Sequence, residues 1–322
     1  MAKITRLIKS FYKLLFPVVL LLVLAIGAAS VWLVHEVSHP ATAEYLVTPE
    51  QYGQLSSRGA QVTDEKWTNR DGTPARGWLL RGAENSPAVI LLHKFGADRS
   101  YVLNLGVKLN EATNFTVLMP DQRGHGQNPL VIYSSFGGNE ADDAASAIEF
   151  LQAQKSQLQI PLVSKEIGIY GLEMGSLAAL NAASQNASVK ALVLDSVPMD
   201  SDSLLASVIE KRYPFANVVT SKFGQLGAYP YFYEGSYKRA SSCDLARTME
   251  NRKVMLLAGV DAQNFQDSTF RVGKCFPEST QTDTKTDLSP SGNSLMTVSI
   301  ELSEDYDQRV IDFFRQSLGF QQ

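Results

Sequence analysis

The residue pattern predicts an α/β protein: a mostly parallel, doubly wound sheet with a helical lid-like insert, preceded by one N-terminal transmembrane helix. Three observations carry this. From about residue 60 onward, short apolar runs of strand length alternate with helical runs, the pattern of parallel strands joined by right-handed crossovers. One strand, Glu166-Ile167-Gly168-Ile169-Tyr170, runs straight into Gly171-Leu172-Glu173-Met174-Gly175 and then a helix start at Ser176-Leu177-Ala178-Ala179-Leu180. Finally, Leu14 to Val34 is an unbroken stretch of 21 residues without a charge.

Residues 1–13 form a basic tail carrying Lys3, Arg6, Lys9 and Lys13 and no acid. Residues 14–34 follow as the transmembrane helix. At about 1.5 Å per residue this span covers roughly 31 Å, the thickness of a bilayer core. Pro17 lies in the first turn, where a missing N–H is tolerated. Gly27-Ala28-Ala29-Ser30 offers small residues of the kind found at a signal cleavage site, but Val31-Trp32-Leu33-Val34 continues the apolar run beyond it. A signal h-region is usually about 7–15 residues, so the segment reads as an uncleaved signal anchor. The cations place its N-terminus in the cytoplasm. The rest of this single-pass chain is then extracytoplasmic. Residues 35–59 read as a polar linker, with His39-Pro40 and Thr48-Pro49 disfavouring helix.

Residues 60–322 form the globular domain. Strands are expected at Val62–Asn69 and Ala75–Arg81, joined by the hairpin signal Arg70-Asp71-Gly72-Thr73. Further strands are expected at Ala88–His93, Phe115–Met119, 166–170, Lys190–Leu194 and Lys253–Ala258. Helices are expected at 99–112, Glu140–Gln154 and from the elbow to about 185. The insert at about 200–250 is rich in Tyr and Phe and weakly periodic, which fits a lid over a site or a packed helical layer equally. Residues 278–293 read as a polar loop, Leu295–Ile300 as the last strand and Tyr306–Leu318 as the closing amphipathic helix.

Composition excludes one class. The chain carries −4 overall, and the four N-terminal cations leave −8 for the remainder, so no basic surface awaits nucleic acid. Cys243 and Cys275 are the only cysteines. In an exported domain they can pair, though two unpaired thiols fit the sequence as well.

Several motifs, in order, resemble those of the α/β-hydrolase superfamily, in particular its esterase and peptidase-like branch. Leu91-Leu92-His93-Lys94-Phe95-Gly96 resembles the family's oxyanion strand-turn, and Asp121-Gln122-Arg123-Gly124-His125-Gly126 its Asp-x-Arg-Gly-His-Gly loop. Gly171–Gly175 matches the nucleophile elbow, followed by Asp195-Ser196 and the C-terminal run from Tyr306 to Phe314. The resemblance covers roughly residues 60–318. It implies a serine nucleophile at the elbow, an acid after a late strand, a histidine before the closing helix, and backbone donors for an oxyanion.

The sequence departs from that set at three places. Glu173 stands at the nucleophile position, and Asp261 matches the acid position. No histidine occurs between the expected last strand and helix, since the chain's four are His35, His39, His93 and His125. Lys94 replaces the oxyanion-turn glycine, beside Phe95 and Met174 as oxyanion and pocket residues. Acyl transfer needs a nucleophile, a base, a group that orients it and oxyanion donors. In a serine protease, loss of the serine or the histidine alone costs about 10⁶ in kcat. The expectation is therefore a membrane-anchored pseudoenzyme that binds a small-molecule ligand or an envelope protein partner, without cofactor. The alternative is a hydrolase of ester-type substrates with a non-standard set centred on Glu173 and Asp261. A metal held by Glu173, His93, Asp121 and Asp261 is set aside because His93 and Asp121, like Arg123 and His125, read as structural. Lys94 and Glu173 are expected to pair across the old site. Glu140 and Asp143 are expected to complement their helix N-terminus, and Ser176 to point away from the site.

Overall fold

The computed structural model describes residues 2–42, 44–53, 61–156, 159–215, 218–237, 241–295 and 297–319. The expected linker therefore falls partly outside the described residues, at 43 and 54–59, as do the domain's first residue, 60, and insert positions 216–217 and 238–240.

The chain begins with a long helix, α1 (Ala2–Ser38), and a short one, α2 (Pro49–Gly53). Of α1, Lys13–Ser38 is long and apolar enough to cross a membrane, with mean hydropathy 2.8. Strands β1 (Val62–Thr68) and β2 (Pro74–Leu80) form the expected hairpin. Next come β3 (Ser86–Leu92), α3 (Leu103–Thr113), β4 (Thr116–Pro120), α4 (Asn139–Ala153) and β5 (Val163–Leu172). The chain continues through α5 (Met174–Ser184), β6 (Val189–Asp195), α6 (Ser201–Arg212), α7 (Val218–Tyr231) and α8 (Ser242–Arg247). It closes with β7 (Lys253–Gly259), α9 (Gln263–Gly273), β8 (Gln281–Leu288) and α10 (Ile300–Leu318).

The eight strands form one sheet in the order β1-β2-β4-β3-β5-β6-β7-β8. Only β2 runs against its neighbours; β4 through β8 are parallel. The central strands are apolar along their whole length because helices cover both faces. One face carries α4, α5, α8 and α9, through Ile148, Leu151, Leu180, Ala246 and Val272. The other carries α3 and α10, through Leu105, Leu109, Val310 and Phe314. Each fully buried aliphatic or aromatic side chain here contributes about 1.5–3 kcal/mol.

Two expectations fail. Residues 295, 297 and 298 are turn and bend rather than strand, and α10 begins at Ile300, where Ser299 caps it. The last strand is instead β8, inside the stretch read as a polar loop. Its sequence, Gln-Thr-Asp-Thr-Lys-Thr-Asp-Leu, suits a charged edge strand that resists further pairing. The region between β6 and β7 also divides. Helix α8 joins the layer beneath the sheet. Helices α6 and α7 form a third apolar cluster with the end of α1 and the elbow: Leu33, Val34, Val37, Met174, Leu177, Leu205, Ile209 and Ala228. A disulfide joins Cys243 on α8 to Cys275 just past α9, with Cα atoms 5.2 Å apart.

Candidate functional site

At the end of β5 the backbone turns sharply through Glu173 (φ 52°, ψ −108°) into α5. Such a conformation is strained for a residue with a side chain and persists only where its surroundings impose it. Here both flanking glycines are sterically required. A Cβ on Gly171 would lie 2.3 Å from the Gly175 carbonyl oxygen, and one on Gly175 would lie 2.3 Å from that of Leu92. The Glu173 amide donates to the Asp195 carbonyl at 2.9 Å, tying the turn to β6. Ser176 is fully buried and donates from its Oγ to the Glu173 carbonyl at 2.6 Å, so it faces away from the site as expected.

The turn after β3 packs beside this elbow. His93 is wholly buried; its Nδ1 bonds the Lys94 carbonyl at 2.8 Å and its Nε2 accepts from the Gln122 amide at 3.1 Å. His125 repeats the arrangement, with Nδ1 on the Arg123 carbonyl at 2.9 Å and Nε2 accepting from the Gly96 amide at 3.0 Å. Burial lowers both imidazole pKa values, that of His125 to about 3. Both rings are neutral clamps between the β3 and β4 loops. Asp121 receives Arg76 at 3.1 Å and Tyr45 Oη at 2.8 Å, and Arg123 pairs with Asp143 and with Asp71. These four residues hold loops.

Glu140 and Asp143 do more than complement a helix end. Buried Glu140 accepts from the Ser134 and Ser135 hydroxyls and the Ser135 and Gly137 amides, pinning the preceding loop. Asp143 bonds Arg123, and burial still pushes its carboxyl up to about 6. A carboxylate in a first helical turn does not reveal from sequence which distant donor it will meet.

The expected Lys94–Glu173 pair does not form: among the described residues no ion pair joins them. Lys94 instead donates from Nζ to the Asn293 carbonyl at 2.6 Å, with its ammonium 4.6 Å from the centre of the Tyr101 ring. Burial, then repulsion from Lys211, lowers its pKa to about 8. Glu173, 7% exposed, has its carboxyl pushed up by burial, against the opposing pull of Lys211 and then Lys94.

Asp261, just past β7, accepts from Ser291, through the amide at 3.1 Å and the hydroxyl at 2.9 Å. The loop holding Ser291 is clamped by a buried network. Asp195 accepts from Tyr306 Oη at 2.6 Å, the Gly292 amide at 2.8 Å and Ser196 Oγ at 2.7 Å. Asn293 Nδ2 donates to Ser196 Oγ at 2.7 Å, and Tyr101 Oη donates to the Gly292 carbonyl at 2.7 Å. Burial raises the Asp195 carboxyl to about 6.

Glu173 opens onto two cavities, of about 440 Å³ and about 610 Å³, which share Glu173, Ser207 and Lys211. The first is walled by Phe95 and Val208, by Val37 at the end of α1, and by Pro40 and Ala41 just beyond that helix. The second runs toward Asp261 and Asn293. Residues 35–41 are thus not a free linker. Helix α1 continues to Ser38, whose carbonyl accepts the Ser134 amide at 2.9 Å.

Sequence and structure comparisons agree with this geometry. A family model described as alpha/beta hydrolase fold matches residues 87–219. An esterase of Pyrococcus furiosus superposes with TM-score 0.62 at 20% identity, covering 87% of this chain and 98% of that one. The chain has the α/β-hydrolase fold. A dienelactone hydrolase of Anabaena variabilis shares the fold with TM-score 0.54 and 13% identity, over 80% and 99% of the two chains. A thiohydrolase of Aspergillus aculeatus is 25% identical over 124 residues, 38% of this chain and only 37% of that relative's length.

Ser291, the residue bonded to Asp261, lies in the loop after β8 and outside positions 297–305, where the sequence pattern sought the histidine. Sequence reasoning also missed Lys211, Asn293, Tyr101 and the clamping role of Asp195. Lys211 was findable, since it closes the first insert helix. The others meet their partners only across about 100 to 200 residues of chain. Among the described residues, no three His, Cys, Asp or Glu side chains converge to hold a metal ion.

Proposed function

We propose that this chain is a membrane-tethered pseudo-hydrolase, which holds a small amphiphilic ligand above Glu173 without cleaving it. The observation that carries the reading is the contrast inside one site. The elbow keeps its strained turn, while its side chain is a carboxylate and Asp261 is engaged by Ser291 rather than by an imidazole. An acyl carbonyl entering this site meets a carboxyl group at Glu173 where a serine hydrolase presents an alcohol. The cavity suits binding. Val37, Pro40, Ala41, Phe95 and Val208 supply apolar wall, and Glu173 and Lys211 supply a polar end. Helix α1 anchors the domain outside the cytoplasm, and no cofactor is invoked.

A fluorescent long-chain acyl ester tests this on the full-length protein. It should bind saturably and be recovered intact, and Ser207→Trp, which places an indole on the wall common to both cavities, should weaken binding at least about tenfold. Binding indifferent to that substitution contradicts the reading.

One observation favours a second reading. His39 lines the same cavity as Glu173, and its Nδ1 is held by the His35 carbonyl at 2.7 Å, which leaves Nε2 as the basic nitrogen. A hydrolase using Glu173 as nucleophile and His39 as base, with Asp261 nearby, would lose turnover on either Glu173→Gln or His39→Ala.

A further inference from the structure

Helix α7 has two faces. Ser221, Gly224, Gly227 and Ala228 are small and buried. Gly227 lies flat against α1, where a Cβ would come 2.2 Å from the Ser30 carbonyl oxygen, and Gly224 lies near Leu33. Small residues let two backbones approach this closely, as in helix pairs inside membranes. The tip of α7 is fixed as well, since Tyr231 Oη bonds His35 Nδ1 at 3.1 Å and accepts from Ser38 Oγ at 3.3 Å. The opposite face presents Phe223, Leu226 and Pro230, with Leu226 55% exposed and Phe223 39%. Phe215 and Val218 are exposed as well.

The depth of that face is set by its contact with α1. Ser30 is four residues inside the end of the apolar span at Val34, which is about 6 Å along a helix. An amphipathic helix lying in a membrane interface buries its apolar face by about 5–10 Å. We infer that the outer face of α7 is a membrane-interface surface, seated in the same leaflet from which α1 emerges. This rests on the reading of α1 as a membrane anchor and deepens the proposed function. The cavity wall at Glu36, Val37 and His39–Ala41 begins within about 3–5 Å past the span. The mouth beside Glu173 therefore stands at headgroup depth, and its ligand is a lipid or lipid-dissolved amphiphile that enters from the bilayer. Lys211 and Arg212 on α6 line the cavity beside Glu36–Ala41, and Lys222 is exposed on α7, cations suited to anionic headgroups.

Depth-dependent quenching tests this with the full chain in phospholipid vesicles whose acyl chains are brominated near the headgroup or near their ends. Trp32, 61% exposed on α1, reports the anchor by the difference between wild type and Trp32→Phe. In the Trp32→Phe background, Leu226→Trp and separately Phe223→Trp report the outer face of α7; both sites are solvent-facing, so folding is retained. Emission from each new tryptophan should fall by about half with bromine near the headgroup, and by less with bromine near the chain ends. If Trp32 is quenched but neither new tryptophan is, the inference fails while the anchor stands. A blue-shifted but unquenched tryptophan means that protein, such as a second copy, covers the face, and the inference again fails. If Trp32 itself is not quenched, the anchor reading and the inference fall together.

Discussion

The elbow and the loop after β8 lie on two sides of one cavity, yet they have been treated differently. At the elbow the unusual feature is backbone: Glu173 in a strained turn, and two glycines pressed against carbonyl oxygens at 2.3 Å. At the loop the unusual feature is side-chain bonding: Asp195, Ser196, Tyr101 and Lys94 all bond Gly292 or Asn293, and Tyr306 braces Asp195. The two sides are therefore held by different means. Sterics set the turn whatever side chain stands there, whereas the loop is set by hydrogen bonds between particular side chains and backbone groups.

Substitutions on the two sides should differ in size. The largest effect is expected from Gly175→Val, which drives a side chain into the Leu92 carbonyl and should cost about 3 kcal/mol or more in denaturant unfolding. Asp195→Ala leaves the Gly292 amide and the Tyr306 hydroxyl without their acceptor. It should cost about 2 kcal/mol, and hydrogen exchange should speed up in the loop after β8 more than at the elbow. Glu173→Gly should do the opposite. Relief of the positive φ and removal of a buried carboxylate should stabilise the fold by about 1 kcal/mol in thermal melts. A loss of stability there would show that Glu173 holds the site together rather than straining it.

The remaining effect concerns pH. The folded-state pKa of Lys94 is lowered to about 8 from an ordinary 10.5, so between those values the unfolded chain binds the extra proton. Stability should rise as pH climbs through that window, and the burden of the buried ammonium is fully present below it. Lys94→Met should flatten this rise when melts at about pH 7 and about pH 10 are compared.

Much of the fold was readable because central parallel strands are apolar throughout and helices interrupt them at regular intervals. Strand β8 was not, because an edge strand needs no apolar face, and Gln281 to Asp287 therefore look like a loop. That misreading moved the search for the base to residues 297–305 and hid Ser291. Gly171, Gly175 and Glu173 announced the elbow because local sterics need no distant partner. The contacts of Lys94 were illegible for the converse reason: its acceptor lies 199 residues away. Hydropathy identified α1 but not that its last turns wall a cavity. The small residues Ser30, Gly224 and Gly227, which mark that contact, make no pattern until the two helices are seen together.

Turnover of a chromogenic acetate by the full-length protein is the most direct test of a site that keeps the turn without the reaction. No saturable hydrolysis above buffer is expected, from the wild type or from Glu173→Ser, since an alcohol at the turn still lacks an imidazole beside Asp261. Saturable turnover by the wild type that disappears in Glu173→Gln contradicts the account.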